Sequence, residues 1–273
     1  MKMNITYDFK LRMQAGEKAF GMMIGPGCNP AETIKKLHEL GNDFVILELE
    51  HNLVNKETVL EYIPVCREMG MPILIRPEDK AAFFRPYLDA GVNGLMIPLL
   101  RTVKEVVDVI DQSYYPPIGH RGCAIGLNPY LVDFQDVTKS PILALTEYIN
   151  NNTILLPQIE TLESMSNLRR ILSLEGIDGV IVGTWDLAFD TGMIDPKATG
   201  NDMVNSPIIA EKMKQVVQMC KETGKIAGLG GLMPAECAKW AEQGYQIFLP
   251  GFIKDGNVEQ VRPILEEARA LIK

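Results

Sequence analysis

Residues 153-TILLPQIET-161 and 178-DGVIVGTWDLAFD-190 decide the fold of this chain. Each begins as a short apolar strand pattern and reaches an acidic residue where that pattern stops, Glu160 in the first segment and Asp186 in the second. The residues between them, 161–177, have the spacing of one amphipathic helix. We therefore predict a β-α-β unit with a carboxylate at the C-terminal end of each parallel strand. That end is where open α/β sheets and (β/α)₈ barrels build their active sites.

The two carboxylates also suggest a ligand. No His or Cys lies near them in the sequence, and two carboxylates at one sheet edge suit a hard divalent cation such as Mg²⁺ or Mn²⁺. The alternative is that Glu160 and Asp186 are N-terminal acids of the helices that follow, where the helix dipole favours negative charge. The spacing alone leaves both interpretations open.

The same alternation of strand and helix patterns fills the chain. Strands this continuously apolar are buried on both faces, which is typical of a parallel sheet covered by helices. Eight of them in alternation predict one (β/α)₈ TIM barrel domain over residues 1–273. A doubly wound open sheet is the runner-up, although no Gly-rich phosphate motif follows the first strand. The strand patterns lie at 19–24, 44–48, 72–76, 93–98, 154–160, 179–183, 225–230 and 246–251, and further helix patterns lie at 31–41, 56–70, 80–91, 102–113, 207–224, 234–244 and 257–273.

Composition narrows the functional class. The chain has 273 residues, is 47% hydrophobic and carries a formal net charge of −8, so it can bury a full core and, without a basic run, is not expected to bind nucleic acid. No apolar run approaches the ~20 residues that span a bilayer, and the polar N-terminal residues lack a secretory pattern. The five cysteines are scattered and form no CxxC pair, which predicts reduced thiols and a cytoplasmic location.

Polar residues also end the second and third strands. The segment 46-ILELEH-51 delivers Glu48, Glu50 and His51, and its period of two places the two glutamates on one face. A carboxylate beside a histidine can fix its tautomer, so His51 is a candidate general base, with a polar strand end as the alternative. Arg76 can hold a carboxylate or a developing enolate oxygen, or pair with a neighbouring acid. Together with strands five and six, these residues predict one convergent site.

Residues 114–146 interrupt the alternation with paired prolines, glycines and aromatics of little periodicity. We predict a long loop after strand four, and such loops in compact domains are usually functional or mobile. Arg121 is its candidate ligand-binding residue. The alternative is that Arg121 clamps its own loop.

These motifs resemble those of the HpcH/HpaI aldolase family, the metal-dependent (class II) pyruvate aldolases. The resemblance runs from about Gly21 to the C-terminus, in the family's order and near its spacing. The matching residues are Glu50-His51, Arg76-Pro77, Tyr115-Pro116-Pro117 with Arg121-Gly122, Gln158-Ile159-Glu160-Thr161, residues 175–179, and Gly183 with Asp186-Leu187.

The resemblance implies a barrel of the phosphoenolpyruvate/pyruvate type whose last helix, 257–272, is exchanged between neighbouring subunits. It also implies a homo-oligomer, commonly a hexamer built from dimers. The implied reaction is cleavage of a 4-hydroxy-2-oxo acid to pyruvate and an aldehyde through a metal-stabilised enolate. The implied cofactor is Mg²⁺ or Mn²⁺, with Co²⁺ as a further option.

By position, the resemblance assigns the metal ligands to Glu160 and Asp186. Gln158 orients the substrate or a metal-bound water. Backbone N–H groups around Thr184 and Trp185, at the start of a helix, receive the pyruvate carboxylate.

The remaining roles fall on the second and third strand ends and on the irregular loop. Arg76 holds the keto oxygen and stabilises the enolate, and His51, or a water it polarises, moves the proton. Glu48 stands where the family has the aspartate that polarises this histidine. Arg121 is the candidate substrate-binding residue of the irregular loop, whose Arg-Gly-Cys-Ala-Ile-Gly is slightly remodelled from the family's Arg-Gly-Val-Gly.

Trp185 is a second departure, because it replaces a small residue beside the pyruvate site. We expect its indole to narrow the space for the aldehyde, and the alternative is that the indole turns aside and packs. Two alternatives to the aldolase reaction stay open. One is a related metal-enolate reaction, such as acyl-CoA cleavage or oxaloacetate decarboxylation. The other is a non-catalytic metabolite-binding protein in which Trp185 fills the site.

Overall fold

Eight parallel strands close into a barrel in sequence order, β1 to β8, in the computed structural model, which describes residues 5–81, 83–134, 136–192 and 195–272. The predicted TIM barrel is confirmed, and the open-sheet alternative is wrong. The strands are β1 Ala19–Ile24, β2 Phe44–Glu48, β3 Ile73–Arg76, β4 Gly94–Ile97, β5 Ile154–Ile159, β6 Gly179–Gly183, β7 Ile226–Gly230 and β8 Ile247–Ile253.

Strand β2 shows why these sequences form barrel strands. All five of its residues are buried. Phe44 and Ile46 join the cluster inside the barrel, whereas Val45 and Leu47 join the cluster between the strands and the outer helices. Alternation continues the inward series to Glu48, the last residue of the strand. The sequence pattern thus places a carboxylate at the mouth of the barrel.

Helices cover the barrel and close its lower end. In α1, Phe9 and Met13 are buried with the inward-facing strand residues, and the Phe9 ring lies 5.3 Å from that of Phe44, centroid to centroid. No helix in the described part of the chain is long and apolar enough to cross a membrane. The helices are α1 Ile5–Gln14, α2 Pro30–Glu39, α3 Lys56–Met69, α4 Arg85–Ala90, α5 Val103–Ser113, α6 Ile142–Asn151, α7 Leu162–Leu172, α8 Thr184–Asp190, α9 Gly200–Val204, α10 Pro207–Thr223, α11 Pro234–Gln243 and α12 Arg262–Leu271.

Several helix boundaries differ from the prediction. The helix expected over 161–177 ends at Leu172. The one expected over 80–91 begins only at Arg85, because Pro86 fits the first turn of a helix and not its interior. Helices α1, α6 and α9 were not predicted, whereas α8 begins at Thr184, where the resemblance placed the start of a helix.

The C-terminal helix packs on its own chain. Leu265 and Ala268 of α12 are fully buried, and the helix lies against α11 and β8. Exchange of this helix between subunits concerns a second chain and stays a prediction.

The irregular stretch 114–146 is ordered around a small core of its own. It contains two short 3₁₀ helices, Ile125–Leu127 and Pro129–Asp133, and leads into α6. Its position differs from the prediction, because it follows α5 and so lies at the N-terminal end of the barrel, away from the mouth. Tyr114, at the start of the stretch, donates its hydroxyl to carbonyls that precede β5 and β6. The core residues are Tyr115, Ile125, Leu131, Leu145 and Ile149.

Candidate active site

A cavity of about 280 Å³ opens at the C-terminal ends of the strands. Its position agrees with the rule that TIM barrels carry their active sites at this end. Glu48 and Glu160 lie against its lining residues Arg76 and Gln158. The structure therefore brings together the predicted residues from strands β2, β3, β5 and β6. The lining includes His51, Arg76, Gln158, Thr184, Trp185 and Asp186.

Arg76 is held between two carboxylates. It is paired in register with Glu48 across β2 and β3, and its guanidinium makes an ion pair with the buried Glu48 carboxylate. Its Nε lies 3.1 Å from Oε2 of Glu50. Two carboxylates on one planar guanidinium restrict its orientation, since the donors form a rigid fork. Arg76 is thus fixed at the mouth before any substrate binds.

The predicted pairing of Glu48 with the His51 ring is wrong. Oε1 of Glu48 accepts the backbone N–H of Glu50 at 2.7 Å and that of His51 at 3.2 Å. The carboxylate beside the imidazole is Glu50, whose Oε2 lies 3.5 Å from Nε2 of His51. The glutamate side chain is one methylene longer than aspartate, and its carboxylate is occupied by Arg76 and the turn backbone. Glu48 therefore shapes the turn and positions Arg76.

Glu160 is the most unusual acid in the site. It is 1% exposed, and burial is the main cause that raises its pKa to about 7. The charges of Asp186 and Glu50 raise this pKa further, whereas the N–H of Leu99 and the charge of Arg76 lower it. Within the described residues, Glu160 makes no ion pair and is held by neutral donors only. A cation bound beside Glu160 would favour the ionised form of its carboxylate.

Two local features shape the surroundings of Glu160. Leu99 has a φ of 53°, a rare value for a leucine, and its N–H reaches Oε1 of Glu160 at 2.5 Å. A side chain at Gly183 would place its Cβ 2.5 Å from Oε2 of Glu160, so the close approach of β6 requires glycine. Gln158 also donates its amide to Glu160.

Strand β6 leads directly into helix α8, which carries three predicted residues. Thr184 is buried, and its hydroxyl donates to the carbonyl of Gly230 at 3.1 Å. Asp186 lies in the first turn of the helix and lines the cavity. Because α8 begins directly after β6, one segment supplies both the cavity wall at Trp185 and the acid Asp186.

Trp185 forms one side of the cavity and leaves it open. Its Nε1 donates to the carbonyl of Gly231 at 3.1 Å, and 45% of the residue stays exposed. A Cβ on Gly200 would lie 2.2 Å from the indole, so the ring packs on that glycine at the start of α9. These contacts turn the indole toward the end of β7.

Glu160 and Asp186 fit a hard divalent cation. The described residues contain no group of three or more His, Cys, Asp or Glu side chains that could hold a metal. A site of two carboxylates leaves the other positions to substrate oxygens and water, which suits Mg²⁺ and Mn²⁺. The observation that supports this fit is the buried Glu160 carboxylate, which has no ion-pair partner among the residues that the structure describes.

Arg121 does not reach the cavity. Its side chain is buried at the opposite end of the barrel, where Nη2 lies 2.5 Å from Oδ1 of Asp89 and the guanidinium lies over the Tyr115 ring. This placement contradicts the predicted contact with substrate, because the loop joins a helix to the start of a strand. Arg121 is instead a clamp between α4 and its own loop.

Comparison with known proteins settles the family. The sequence model of the HpcH/HpaI aldolase/citrate lyase family matches residues 22–251. The chain belongs to this family. The match covers the site-bearing strand ends, so the resemblance seen in the motifs is confirmed. Membership and the names of related enzymes identify the chain as an aldolase, a carbon–carbon lyase.

Individual HpcH/HpaI relatives agree over most of the chain. The 4-hydroxy-2-oxo-heptane-1,7-dioate aldolase of Shigella sonnei is 28% identical over 226 residues, which are 81% of this chain and 79% of that enzyme. The hydroxypyruvate/pyruvate aldolase of Roseovarius nubinhibens is 25% identical over 249 residues, 90% of each chain. The crystal structure of an HpcH/HpaI aldolase from Desulfitobacterium hafniense has a TM-score of 0.76 at 25% identity and covers 89% of each chain.

Some residues of the cavity were missed in the sequence. Phe252 and Leu249 of β8 line it, as do Gly230, the last residue of β7, and Gly231 after it. The strand pattern predicted for β8 ended at residue 251, which left Phe252 outside. Nothing in the sequence indicates the role of Leu99, because a positive φ at a leucine is set by tertiary contacts.

Proposed function

We propose that this aldolase cleaves a 4-hydroxy-2-oxo acid to pyruvate and an aldehyde, and that it catalyses the reverse condensation. The observation that carries the proposal is the buried Glu160 carboxylate beside Asp186, in the same mouth as Arg76 and His51. The names of the Shigella and Roseovarius relatives support a pyruvate-forming reaction.

Glu160 and Asp186 would hold the divalent cation, Mg²⁺ or Mn²⁺ with Co²⁺ as a further option. When bound, the cation supplies Lewis-acid polarisation of the 2-oxo acid. Gln158 donates its amide to Glu160 and so fixes the orientation of that carboxylate. The N–H groups near Thr184 and Trp185 are proposed to receive the substrate carboxylate.

Arg76 stabilises the charge that develops during cleavage. As the bond between C3 and C4 breaks, its electrons pass to C3 and the adjacent carbonyl, and the keto oxygen gains negative charge. The guanidinium is already held by Glu48 and Glu50, so it can donate to this oxygen without reorganising. Protonation at C3, by the proton that His51 takes from the C4 hydroxyl or by solvent water, then completes pyruvate.

His51 moves the proton on the aldehyde side. It lies exposed at the rim of the cavity, where the C4 hydroxyl of the substrate would be deprotonated as the aldehyde carbonyl forms. Glu50 beside the ring stabilises the imidazolium that results. In condensation, the same imidazolium returns the proton to the new hydroxyl.

The non-catalytic alternative has lost its basis. It required the Trp185 indole to fill the pocket, and the indole packs instead on Gly200 and leaves a cavity of about 280 Å³. That volume accommodates a small organic acid.

We also propose that the protein works as a homo-oligomer. Large apolar side chains are exposed around the mouth, and Leu53 after β2 is fully exposed at 103%. An apolar rim of this kind is typical of an interaction surface. The other exposed rim residues are Phe83, Phe189 and Met233.

A cytoplasmic location is part of the same proposal. The five cysteines are all unpaired, and three of them are buried. Unpaired thiols are typical of a reducing compartment.

The test of the function is pyruvate release from racemic 4-hydroxy-2-oxo acids by purified protein with Mg²⁺. Glu160→Gln should lower kcat by at least about a hundredfold, since it removes one ligand charge. Glu163→Gln, an exposed acid on the next helix, is the matched control and should keep full activity. Equal activity in both variants would remove Glu160 from the proposed site.

A further inference from the structure

Lys254 comes directly after strand β8, two residues beyond the cavity-lining residue Phe252. The pairing of β8 with β1 shifts register between Phe20 and Met22, and beyond the shift Phe252 pairs with Met23. Both residues line the cavity. Lys254 directly follows Ile253, the last residue of the strand, and its ammonium lies over the Phe252 ring.

The Lys254 ammonium contacts an aromatic ring of the cavity wall and pairs with no acid in the described part of the chain. Its Nζ lies 5.7 Å from the centre of the Phe252 ring, within the range of a cation–π contact. Within the part of the chain that the structure describes, Lys254 makes no ion pair. Neighbouring cations differ, because Arg76 is bound by two glutamates and Lys80 pairs with Glu105 at 2.6 Å.

The following residue turns away from the cavity. Asp255 has a φ of 54°, and its backbone lies against Gly27 in the loop after β1, where a Cβ on that glycine would be 3.4 Å from Cα of Asp255. The Asp255 carboxylate is therefore directed toward the loop after β1, and it leaves the Lys254 ammonium free to bind an anion.

Charge divides the cavity into two zones. The acids Glu50, Glu160 and Asp186 lie around the proposed reacting centre, whereas the wall toward β8 is apolar and formed by Leu249 and Phe252. A negatively charged tail is repelled by the acids, but its methylene chain can pack on the apolar wall. The tail then ends at the rim beside Lys254.

We propose that Lys254 determines specificity by binding an anionic group, a carboxylate or a phosphate, at the far end of the aldehyde. This inference rests on the proposed aldolase function and names the substrate class of the same site. The flexible four-carbon stem lets one ammonium serve either anion. In TIM barrels the loops after strands seven and eight frequently bind phosphate, which agrees with the position of Lys254.

The test is condensation with pyruvate in the presence of Mg²⁺, using two matched aldehyde pairs. 5-Oxopentanoate is compared with pentanal, and glyceraldehyde 3-phosphate with glyceraldehyde. The quantity measured is the ratio of kcat/KM for the anionic aldehyde to kcat/KM for its neutral partner. Lys254→Met should lower this ratio roughly threefold to tenfold, because an exposed ion pair contributes about 1 kcal/mol. Lys254→Arg should keep it, and added salt should reduce it in the wild type.

Lys239→Met is the matched control. Lys239 also lies over an aromatic ring, 5.5 Å from the centre of Trp240, but on the outer helix α11. Its loss should leave both ratios at the wild-type value. A ratio that falls in one aldehyde pair only identifies the anion as carboxylate or phosphate. Unchanged ratios in Lys254→Met, with aldol activity present, would overturn the role of Lys254 alone. Absence of condensation with all four aldehydes would overturn the proposed function and this inference with it.

Discussion

Glu160 is the residue whose environment most directly links the fold to the chemistry. Burial raises its pKa to about 7 from an ordinary value of 4.5. Below about pH 7 the neutral form is therefore preferred in the folded chain, and a bound cation opposes that preference by stabilising the ionised form. Metal binding and proton release at Glu160 are thus coupled.

The first prediction follows from this coupling. The folded state holds the Glu160 proton more tightly than the unfolded chain does, so without metal the free energy of unfolding should fall as pH rises from about 4.5 to above 7. The loss is at most about 3 kcal/mol, or on the order of 5 °C in Tm. Thermal unfolding between pH 5 and 8, with EDTA or with Mg²⁺, measures it.

Glu160→Gln is the control for the pH effect, because the amide cannot ionise. The decline in Tm should shrink in this variant and in wild type with saturating Mg²⁺. The raised pKa of Glu50 acts in the same direction, so a small slope remains. A wild-type Tm that is flat or rises across this range without metal contradicts the raised pKa.

Trp185 carries the second prediction at this scale. Its indole forms a wall of the cavity, so Trp185→Ala should extend activity to longer neutral aldehydes. The expected change in discrimination is about 1–3 kcal/mol, or roughly tenfold to a hundredfold in relative kcat/KM. The measurement is kcat/KM for a series from acetaldehyde to hexanal. Identical length profiles in wild type and variant would show that Trp185 only packs.

At the residue scale, the sequence located strand-end residues but not their partners. Glu160 and Asp186 could be predicted as site residues because each closely follows an apolar run that has to be a buried strand. The sequence could not predict that Glu50, and not Glu48, lies beside the His51 ring. This placement depends on the path of the turn after β2 and on the contact of Arg76 with Glu48 on the neighbouring strand. The hydrogen bond from Leu99 to Glu160 could not be predicted for the same reason.

At the scale of elements, the eight strands were predictable because a barrel strand is apolar on both faces. Helices that lie outside this repeat were not. The apolar residues of helix α1 alternate with polar ones, which is a strand-like spacing, and the helix is stabilised by two of them, Phe9 and Met13, that close the lower end of the barrel. Such a contact depends on the completed barrel and has no local signal.

The misplaced Arg121 has a different cause. Chain order puts a segment that follows a helix at the N-terminal end of the next strand, but the loop 114–146 was predicted as the loop after strand four and so was placed at the wrong end of the barrel. Its motif matched the family pattern, but the burial of Arg121 against Asp89 was a tertiary fact.

Helix α1 gives the prediction for this scale. Phe9→Ala should lower the free energy of unfolding by about 3 kcal/mol, because it leaves a cavity beside Phe44. Leu11→Ala on the same helix is the control, since Leu11 is 40% exposed, and it should cost less than about 1 kcal/mol. Denaturant unfolding measures both. Equal effects would show that α1 does not close the barrel.

For the whole molecule, the exposed rim predicts association. The wild-type protein should elute as a homo-oligomer, and Leu53→Asp should shift it toward the monomer, because a charge in an apolar interface is costly. Size-exclusion chromatography with light scattering gives the mass directly. Lys104→Asp, an exposed change on α5, controls for the added acid. A monomeric wild type at micromolar concentration contradicts the proposed oligomer.

The most direct test of the whole account is pyruvate release from a 4-hydroxy-2-oxo acid after thorough chelation. We predict that EDTA abolishes the activity, that Mg²⁺ or Mn²⁺ restores it, and that borohydride traps no pyruvate on the protein. Activity that survives chelation and is trapped covalently by borohydride would mean a Schiff-base lysine mechanism, and would contradict the roles given to Glu160 and Asp186.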